Sequence, residues 1–478
     1  MEKDVIMKNL SAGNVEADSA REEFLTLPLG RLMLKNALPA VASMLFMALY
    51  QAVDAMLVGR RLGPEALASV NILYPILAVF VGLAVMIGVG GNARIAVLLG
   101  SGATKQARRT LGLIVALGVG LGLTGSVVVA VFFPQILAVL GTSGSLGVFA
   151  GEYLRTMYPF ATMMILFFIL EQSVRNDGQA GLAALVMAGM ALLNIILDYL
   201  FLFVLNLGIG GAALATGISQ SLGALIFVSY FWRKTLLRQD GLCFATPGGG
   251  VPVLLSIAAN GSSELFNSLA VGVTTFLFNR IILSYVGAMG VAAFSVTQYL
   301  LAVGMMVFMG LGNGAQPILS YNHGAGLTER VQGTLIRLLG TSMVIGFLFF
   351  VVMRFQAATL AGLFIADHPE ALATTLRVAS TVSWSMLFIP VGIVVSVFFT
   401  ALEKAEKSLV IAVCRGFVFT VTGLALFPLL WGETGIWITP VFAEGATALV
   451  GTVLLYRWLT GNSPVFAMEA AVVEGENI

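Results

Sequence analysis

Charge is scarce in this sequence. Lys and Arg number 25 and Asp and Glu 24 among 478 residues, 10% of the chain, for a net charge of +1. A soluble protein of this length needs far more charge to cover its surface. A near-neutral balance also offers no basic face to nucleic acid. Cysteine is scarcer still: Cys243 and Cys414 cannot form a disulfide framework and do not have zinc-ligand spacing. Two histidines, His323 and His368, are too few for an imidazole metal centre. The dipeptide Gly-Lys never occurs, which removes the phosphate-binding P-loop and with it a built-in ATPase. The stretch before Pro28 mixes Lys, Glu, Asp and Arg without an apolar core. It reads as a cytoplasmic tail, 1–28, and not as a cleavable signal peptide.

What is abundant is apolar surface, at 58% of residues. Apolar runs between Gly, Pro and charge punctuation predict twelve helices near 31–58, 64–99, 105–133, 147–173, 180–205, 210–233, 252–285, 288–321, 328–354, 371–401, 407–430 and 435–459. Each is long enough to cross a hydrocarbon layer of about 30 Å. The fold class expected is therefore an all-α membrane protein of twelve transmembrane helices in two six-helix lobes. The lobes span 29–233 and 252–460, joined by a polar, glycine-ending linker 234–251 and followed by a second cytoplasmic tail, 461–478. With the N-terminus inside, Lys105, Arg108, Arg109, Arg175, Arg233, Lys234, Arg330 and Lys404 fall on the cytoplasmic side, as the distribution of basic residues in membrane proteins requires. Arg60 and Arg61 run against that orientation.

The halves look related. GGNARIAVLLGSGA (90–103) aligns with GNGAQPILSYNHGA (312–325) through Gly90/Gly312, Ala93/Ala315, Gly102/Gly324 and Ala103/Ala325. Each segment is followed by a Thr and, six residues on, by Thr-Leu: Thr104 then Thr110-Leu111, and Thr328 then Thr334-Leu335. Each closes the second helix of its half on the same side, so the expected repeat is a parallel pseudo-two-fold and not an inverted one.

A carboxylate inside a span costs several kcal/mol unless it is paired, wetted or neutralised, which makes each one a functional candidate. Asp54 lies in the first helix, with Tyr50 one turn earlier on the same face and Gln51 beside it. Pro39, earlier in that helix, removes a backbone hydrogen bond and invites a bend. Asp198 lies in the fifth helix, within NIILDYLFLF, and Asn194 stacks four residues before it. Asn260, Glu264 and Asn267 follow i, i+4, i+7 spacing on the seventh helix, a polar stripe that must face protein or a watery cavity. Plain alternatives exist for each: a solvated helix end for Asp54, and inter-helix hydrogen bonds for Asp198 and the stripe. Arg94, Glu171, Arg280 and Glu444 read as cross-helix partners, and Asp177 in VRNDGQ as a helix cap.

With these segments in view, the sequence resembles the MATE multidrug exporters. DAMLVGRRLGPEALASVNILYPI (54–76) is similar to the end of their first helix and start of their second. NIILDYLFLF with GIGGAALATGISQ (208–220) is similar to their fifth and sixth helices, and VRNDGQ and NGSSEL look like the versions in bacterial members. The resemblance covers essentially the whole chain. It implies an outward-facing V of two lobes in a bacterial or archaeal cell membrane; the placement of basic residues puts both termini in the cytoplasm, and nothing in the sequence suggests an obligate oligomer, so a monomer is expected. It implies exchange of drugs or other organic cations for H⁺ or Na⁺, with no cofactor. In the prokaryotic branch with an acid on the first helix, that acid matches Asp54, the bend-forming proline matches Pro39, and the fifth-helix pair matches Asn194 and Asp198. In the branch with ion chemistry in the second lobe, Glu264 is the match, but the tenth helix lacks the second acid between Trp384 and Thr400. The first lobe is therefore the expected site, where Asp54 and Asp198 load protons or, with Asn194, hold Na⁺. A lipid-linked oligosaccharide flippase of the same superfamily is the nearest alternative. An intramembrane enzyme would need a nucleophile–base pair that neither histidine supplies, and a passive channel would not show gradient-coupled flux.

Overall fold

The computed structural model describes residues 17–140, 144–238, 241–359 and 369–461. His368 and most of the expected tails lie outside the described residues. Among the described residues, twelve helices are long and apolar enough to cross a membrane, and the expected helices coincide with them. They form because hydrocarbon leaves a spanning segment no partner for its backbone except itself.

In chain order the first half contains α1 (Ala17–Thr26), α2 (Leu29–Leu62), α3 (Pro64–Gly100), α4 (Thr104–Val131), α5 (Phe133–Val139), α6 (Gly144–Met157), α7 (Ala161–Asn176), α8 (Ala180–Tyr199) and α9 (Gly208–Leu236). The second half contains α10 (Gly250–Tyr285), α11 (Ala288–Gly324), α12 (Thr328–Phe355), α13 (Pro369–Val382), α14 (Ile389–Ala401), α15 (Ala405–Val413), α16 (Thr420–Trp431) and α17 (Glu433–Gly461). Short 3₁₀ turns link α6 to α7 and α13 to α14, while π-helical segments, Leu200–Val204 and Cys414–Phe419, extend α8 and join α15 to α16. Each π segment interrupts the fifth span of its half. The α1 helix falls within the stretch read from sequence as tail. Its Arg21 donates to the Gly100 carbonyl, its Phe24 stacks on Tyr321 at 4.4 Å, and Arg330 donates to the Phe24 and Leu27 carbonyls.

The repeat is written in helix lengths. Both α3 and α11 have 37 residues, both α4 and α12 have 28, and both α9 and α17 have 29. The α3/α11 and α4/α12 pairs share one offset, the one that carries Thr104 onto Thr328. The turns agree: Gly63 and Gly287 both lie at positive φ (88° and 83°), as do Gly102 and Gly326 (80° and 73°). These are conformations that favour glycine. The alignment by residue type had set Gly102 against Gly324, two residues out of register. Gly and Ala are common enough here to match at several offsets, and only the left-handed turn selects one.

Close contacts divide the chain into two compact units. The first comprises Met1–Gly272, Met306–Leu338 and Thr400–Ala405; the second comprises Val273–Met305, Leu339–Phe399 and Glu406–Ile478. Inside the first unit, α3 and α11 approach backbone to backbone and reciprocally. A Cβ on Gly100 would lie 2.1 Å from the Tyr321 carbonyl oxygen, and one on Gly324 2.0 Å from that of Val97. Under the repeat, Gly100 is the counterpart of Gly324 and Val97 of Tyr321, so each helix offers the other the same contact, as an isologous interface does. Tyr321 Oη adds a hydrogen bond of 2.7 Å to the Asn176 carbonyl. The second unit packs Phe294 between Phe278 and Trp437, at ring distances of 4.8 and 6.0 Å, and buries an Arg415–Glu444 ion pair of 2.8 Å.

Candidate functional site

The α2 helix packs along α8, and that contact is what brings distant parts of the sequence together. On α2, Tyr50 and Asp54 are one turn apart; on α8, Asn194 and Asp198 are one turn apart. Asp198 has no exposed surface and Asn194 retains 2%. The Asp54 and Asp198 carboxyl groups lie within each other's electrostatic reach, and Tyr50 and Tyr153 sense both. The two acids are close enough to share one proton, and no other group donates to Asp54 Oδ1 or to either Asp198 oxygen, all three of which are buried.

The neighbouring amides are turned by their donors. Asn194 Nδ2 donates to Thr216 Oγ1 at 3.3 Å, and Gln220 Nε2 donates to Tyr50 Oη at 3.4 Å, both acceptor residues having been fixed by α9 and α2 packing. With the NH₂ groups engaged, the Asn194 and Gln220 carbonyl oxygens are left buried and unpartnered as well. Buried acceptors without donors are costly in an apolar setting. The setting here is apolar: Val58, Leu73, Tyr153, Leu202, Ile209 and Ala212 form one tightly buried cluster. A cation, whether a proton, a hard metal ion or an organic ammonium, satisfies what these oxygens lack. Among the described residues no group of three or more His, Cys, Asp or Glu side chains comes together to hold a metal, so a transition-metal centre is not what the set resembles.

Two local features support the pair. The π segment Leu200–Val204 starts two residues after Asp198, and Leu205 N bonds the Leu200 carbonyl at 2.9 Å; such interruptions of the helix are frequent at functional positions. Arg61, one of the two arginines that ran against the expected orientation, ties this segment down. Its Nε donates to the Leu202 carbonyl at 3.2 Å, its guanidinium also reaches Asn206, and it lies 6.0 Å from the Phe203 ring.

Of the other residues singled out from sequence, Pro39 lies inside α2, its carbonyl accepting from Ser43 Oγ at 3.0 Å, and Gln51 is exposed beside Tyr50. The α10 stripe is a different arrangement. Asn260 is buried and donates to the Thr400 carbonyl at 3.0 Å, while Glu264 and Asn267 are half-buried. Arg94 reaches Ser256 and Glu403 at 3.4 and 3.5 Å, and Arg415 holds Glu444, both across helices. Glu171 instead pairs along its own helix with Arg175, and Arg280 is exposed. Asp177 sits at the end of α7 but does more than cap it: Tyr230 donates to it, Lys234 lies at 2.5 Å, and the Leu242 amide donates at 3.1 Å.

Sequence reasoning passed over Gln220, Thr216 and Tyr153. Gln220 carried a signal, an amide inside an apolar span. Tyr153, with Glu152 and Arg155 close by in sequence, carries no comparable signal.

The MatE family pattern matches residues 39–200 and 265–424. The chain is 27% identical over 432 residues to the multidrug export protein MepA of Staphylococcus aureus, covering 90% of this chain and 94% of that protein. The MepA of Staphylococcus saprophyticus is 27% identical over 424 residues, with coverage of 89% and 93%. Among solved structures, a MATE bound to MaL6 superposes with a TM-score of 0.87 at 21% identity, covering 94% of this chain and 99% of that one. A MOP superfamily transporter from Pyrococcus furiosus, described as having a binding pocket of reverse polarity, superposes with a TM-score of 0.84 at 22% identity, covering 93% and 98%.

Proposed function

Because this chain belongs to the MatE family of multidrug export transporters, we propose that it is a secondary active antiporter that expels organic cations in exchange for H⁺ or Na⁺. The observation that carries this reading is the set of buried, unpartnered oxygens around Asp54 and Asp198. The ionised pair attracts a cationic drug; a proton on one carboxyl, or Na⁺ held by Asp54, Asp198 and Asn194, removes that attraction. Drug and coupling ion then compete for one charge, and each lowers the other's affinity by the same factor. An inward ion gradient converts this competition into outward drug movement by alternating access. One unit charge crossing 100 mV supplies about 2.3 kcal/mol, close to a fifty-fold gradient of cargo.

On the same reading the protein is a monomer of the cell membrane with both termini in the cytoplasm. The positions of Lys105, Arg108, Arg233 and Lys234 support that orientation, and Arg61 has a local task that accounts for its place on the other side. A flippase for lipid-linked pyrophosphates calls for cationic side chains at the cargo site; the groups gathered around Asp54 and Asp198 are acids, amides and phenols, which favours cationic cargo.

The test is dye efflux from proteoliposomes. Asp54→Asn and Asp198→Asn should each abolish gradient-driven efflux of a cationic dye while the protein still inserts and purifies. Wild-type rates in both variants would end the assignment. Imposing a pH gradient and then a Na⁺ gradient on wild type identifies the ion.

A further inference from the structure

Apart from the carboxylate pair, the first unit contains a cavity of 1530 Å³. Its walls are α1, the start of α4, the turn after α7, the far end of α9 and the linker at Gly241 and Leu242. Its lining is strongly unbalanced in charge. Among the described residues, Arg21, Lys35, Lys105, Arg108, Arg233 and Lys234 line it together with the acids Glu23 and Asp177. Lys35 pairs with Glu23 and Lys234 with Asp177, each at 2.5 Å. Arg21 donates to the backbone carbonyl of Gly100 and Arg108 to that of Gly241. Lys105 and Arg233 are exposed and make no hydrogen bond or ion pair among the described residues.

The remainder of the lining is apolar and ordered along one helix. Leu222, Leu225, Ile226, Ser229 and Arg233 all line the cavity, and their spacing of three and four places them on a single face of α9. Leu222, Leu225 and Ile226 are exposed and lie in a membrane span, a surface suited to acyl chains. From Leu225 to Arg233 that face climbs about 12 Å, changing from apolar to cationic.

We propose that this cavity binds an anionic glycerophospholipid, its phosphate held between Lys105 and Arg233 and its acyl chain laid along the leucines of α9. Clusters of Lys and Arg at a membrane face attract anionic headgroups. A free phosphate would use the cationic end alone, whereas the face of α9 that continues from it within the same cavity is apolar. The inference is independent of the antiport reading, since none of the carboxylate-site residues lines the cavity.

The experiment uses the full chain purified in a neutral detergent and native mass spectrometry to count retained lipid. Phosphatidylglycerol should be retained in preference to phosphatidylcholine. K105Q/R233Q should weaken phosphatidylglycerol retention by roughly 10-fold or more, each surface cation contributing severalfold. Both residues are exposed, and K105Q or R233Q singly serves if the pair does not purify. Arg354→Gln, which removes a cation outside the cavity, should retain lipid as wild type does. Equal retention of the two lipids, wild-type retention by the Lys105 and Arg233 variants, or an equal loss in R354Q would overturn the proposal. So would displacement of phosphatidylglycerol by an equal concentration of inorganic phosphate, which would assign the cavity to a free anion.

Discussion

Thr216 and Tyr50 decide which way two amides face. A side-chain amide can present either its donor or its acceptor, and at this site the donors of Asn194 and Gln220 are occupied, so oxygen is what remains. Thr216→Val removes the hydroxyl that holds Asn194 and lets the amide turn. Cation affinity should fall by roughly 5-fold, the value of one neutral hydrogen bond at about 1 kcal/mol, with stability nearly unchanged; efflux rate against coupling-ion concentration measures it. Asp177 is a contrasting case, binding the linker to α7 and α9 through three contacts. Asp177→Ala should cost about 1.5–3 kcal/mol in stability, the usual value of hydrogen bonds to a charged group, read as a lowered midpoint of thermal unfolding in detergent. At this scale the sequence was legible where the cost of burial is high. Asp54 and Asp198 stand out because a carboxylate in an apolar run has few innocent explanations. Gln220 and Tyr153 did not, because an amide or phenol is tolerated in a span without a special role, and only the cross-helix bond between Gln220 and Tyr50 shows what the amide does.

Among elements, the spans were the most legible, because every backbone group in hydrocarbon must pair within its own helix and long apolar runs leave no other fold. The π segments were not. LFLFV carries no breaker and CRGFVF has only Gly416, and in the first segment Arg61 holds the Leu202 carbonyl from outside the helix. Neither was the repeat register, since close helix packing selects Gly and Ala so often that residue identity alone misplaces it. The reciprocal α3–α11 contact makes a direct prediction. A methyl at Gly100 or at Gly324 meets a carbonyl oxygen that belongs to backbone and cannot swing aside. G100A and G324A should each lose about 1–3 kcal/mol, the range of overpacking, and by similar amounts because the two contacts are equivalent. Thermal unfolding of the two variants side by side checks this; a large cost at one position and none at the other would contradict the equivalence.

For the molecule as a whole, helix lengths repeat and the chemistry does not. The offset that carries Thr104 onto Thr328 carries Asp54 onto Phe278, and the offset that carries α9 onto α17 carries Asp198 onto Gly423, so the second half does not repeat the two acids. Under the proposed mechanism one exchange site serves twelve spans. An ionophore that collapses the coupling gradient should then stop efflux in proteoliposomes that contain no ATP at any stage, while nucleotide addition should have no effect. Orientation is testable separately. A cysteine at Lys105 should react with a membrane-impermeant maleimide in inside-out vesicles and be protected in intact cells, and one at Arg354 should behave in the opposite way.

The paired approach of Gly100 to Tyr321 and of Gly324 to Val97 also restricts how α3 and α11 can part. Because the same geometry occurs twice, no flexible side chain at either glycine can yield, and drawing the two helices apart means parting backbone from backbone at both places.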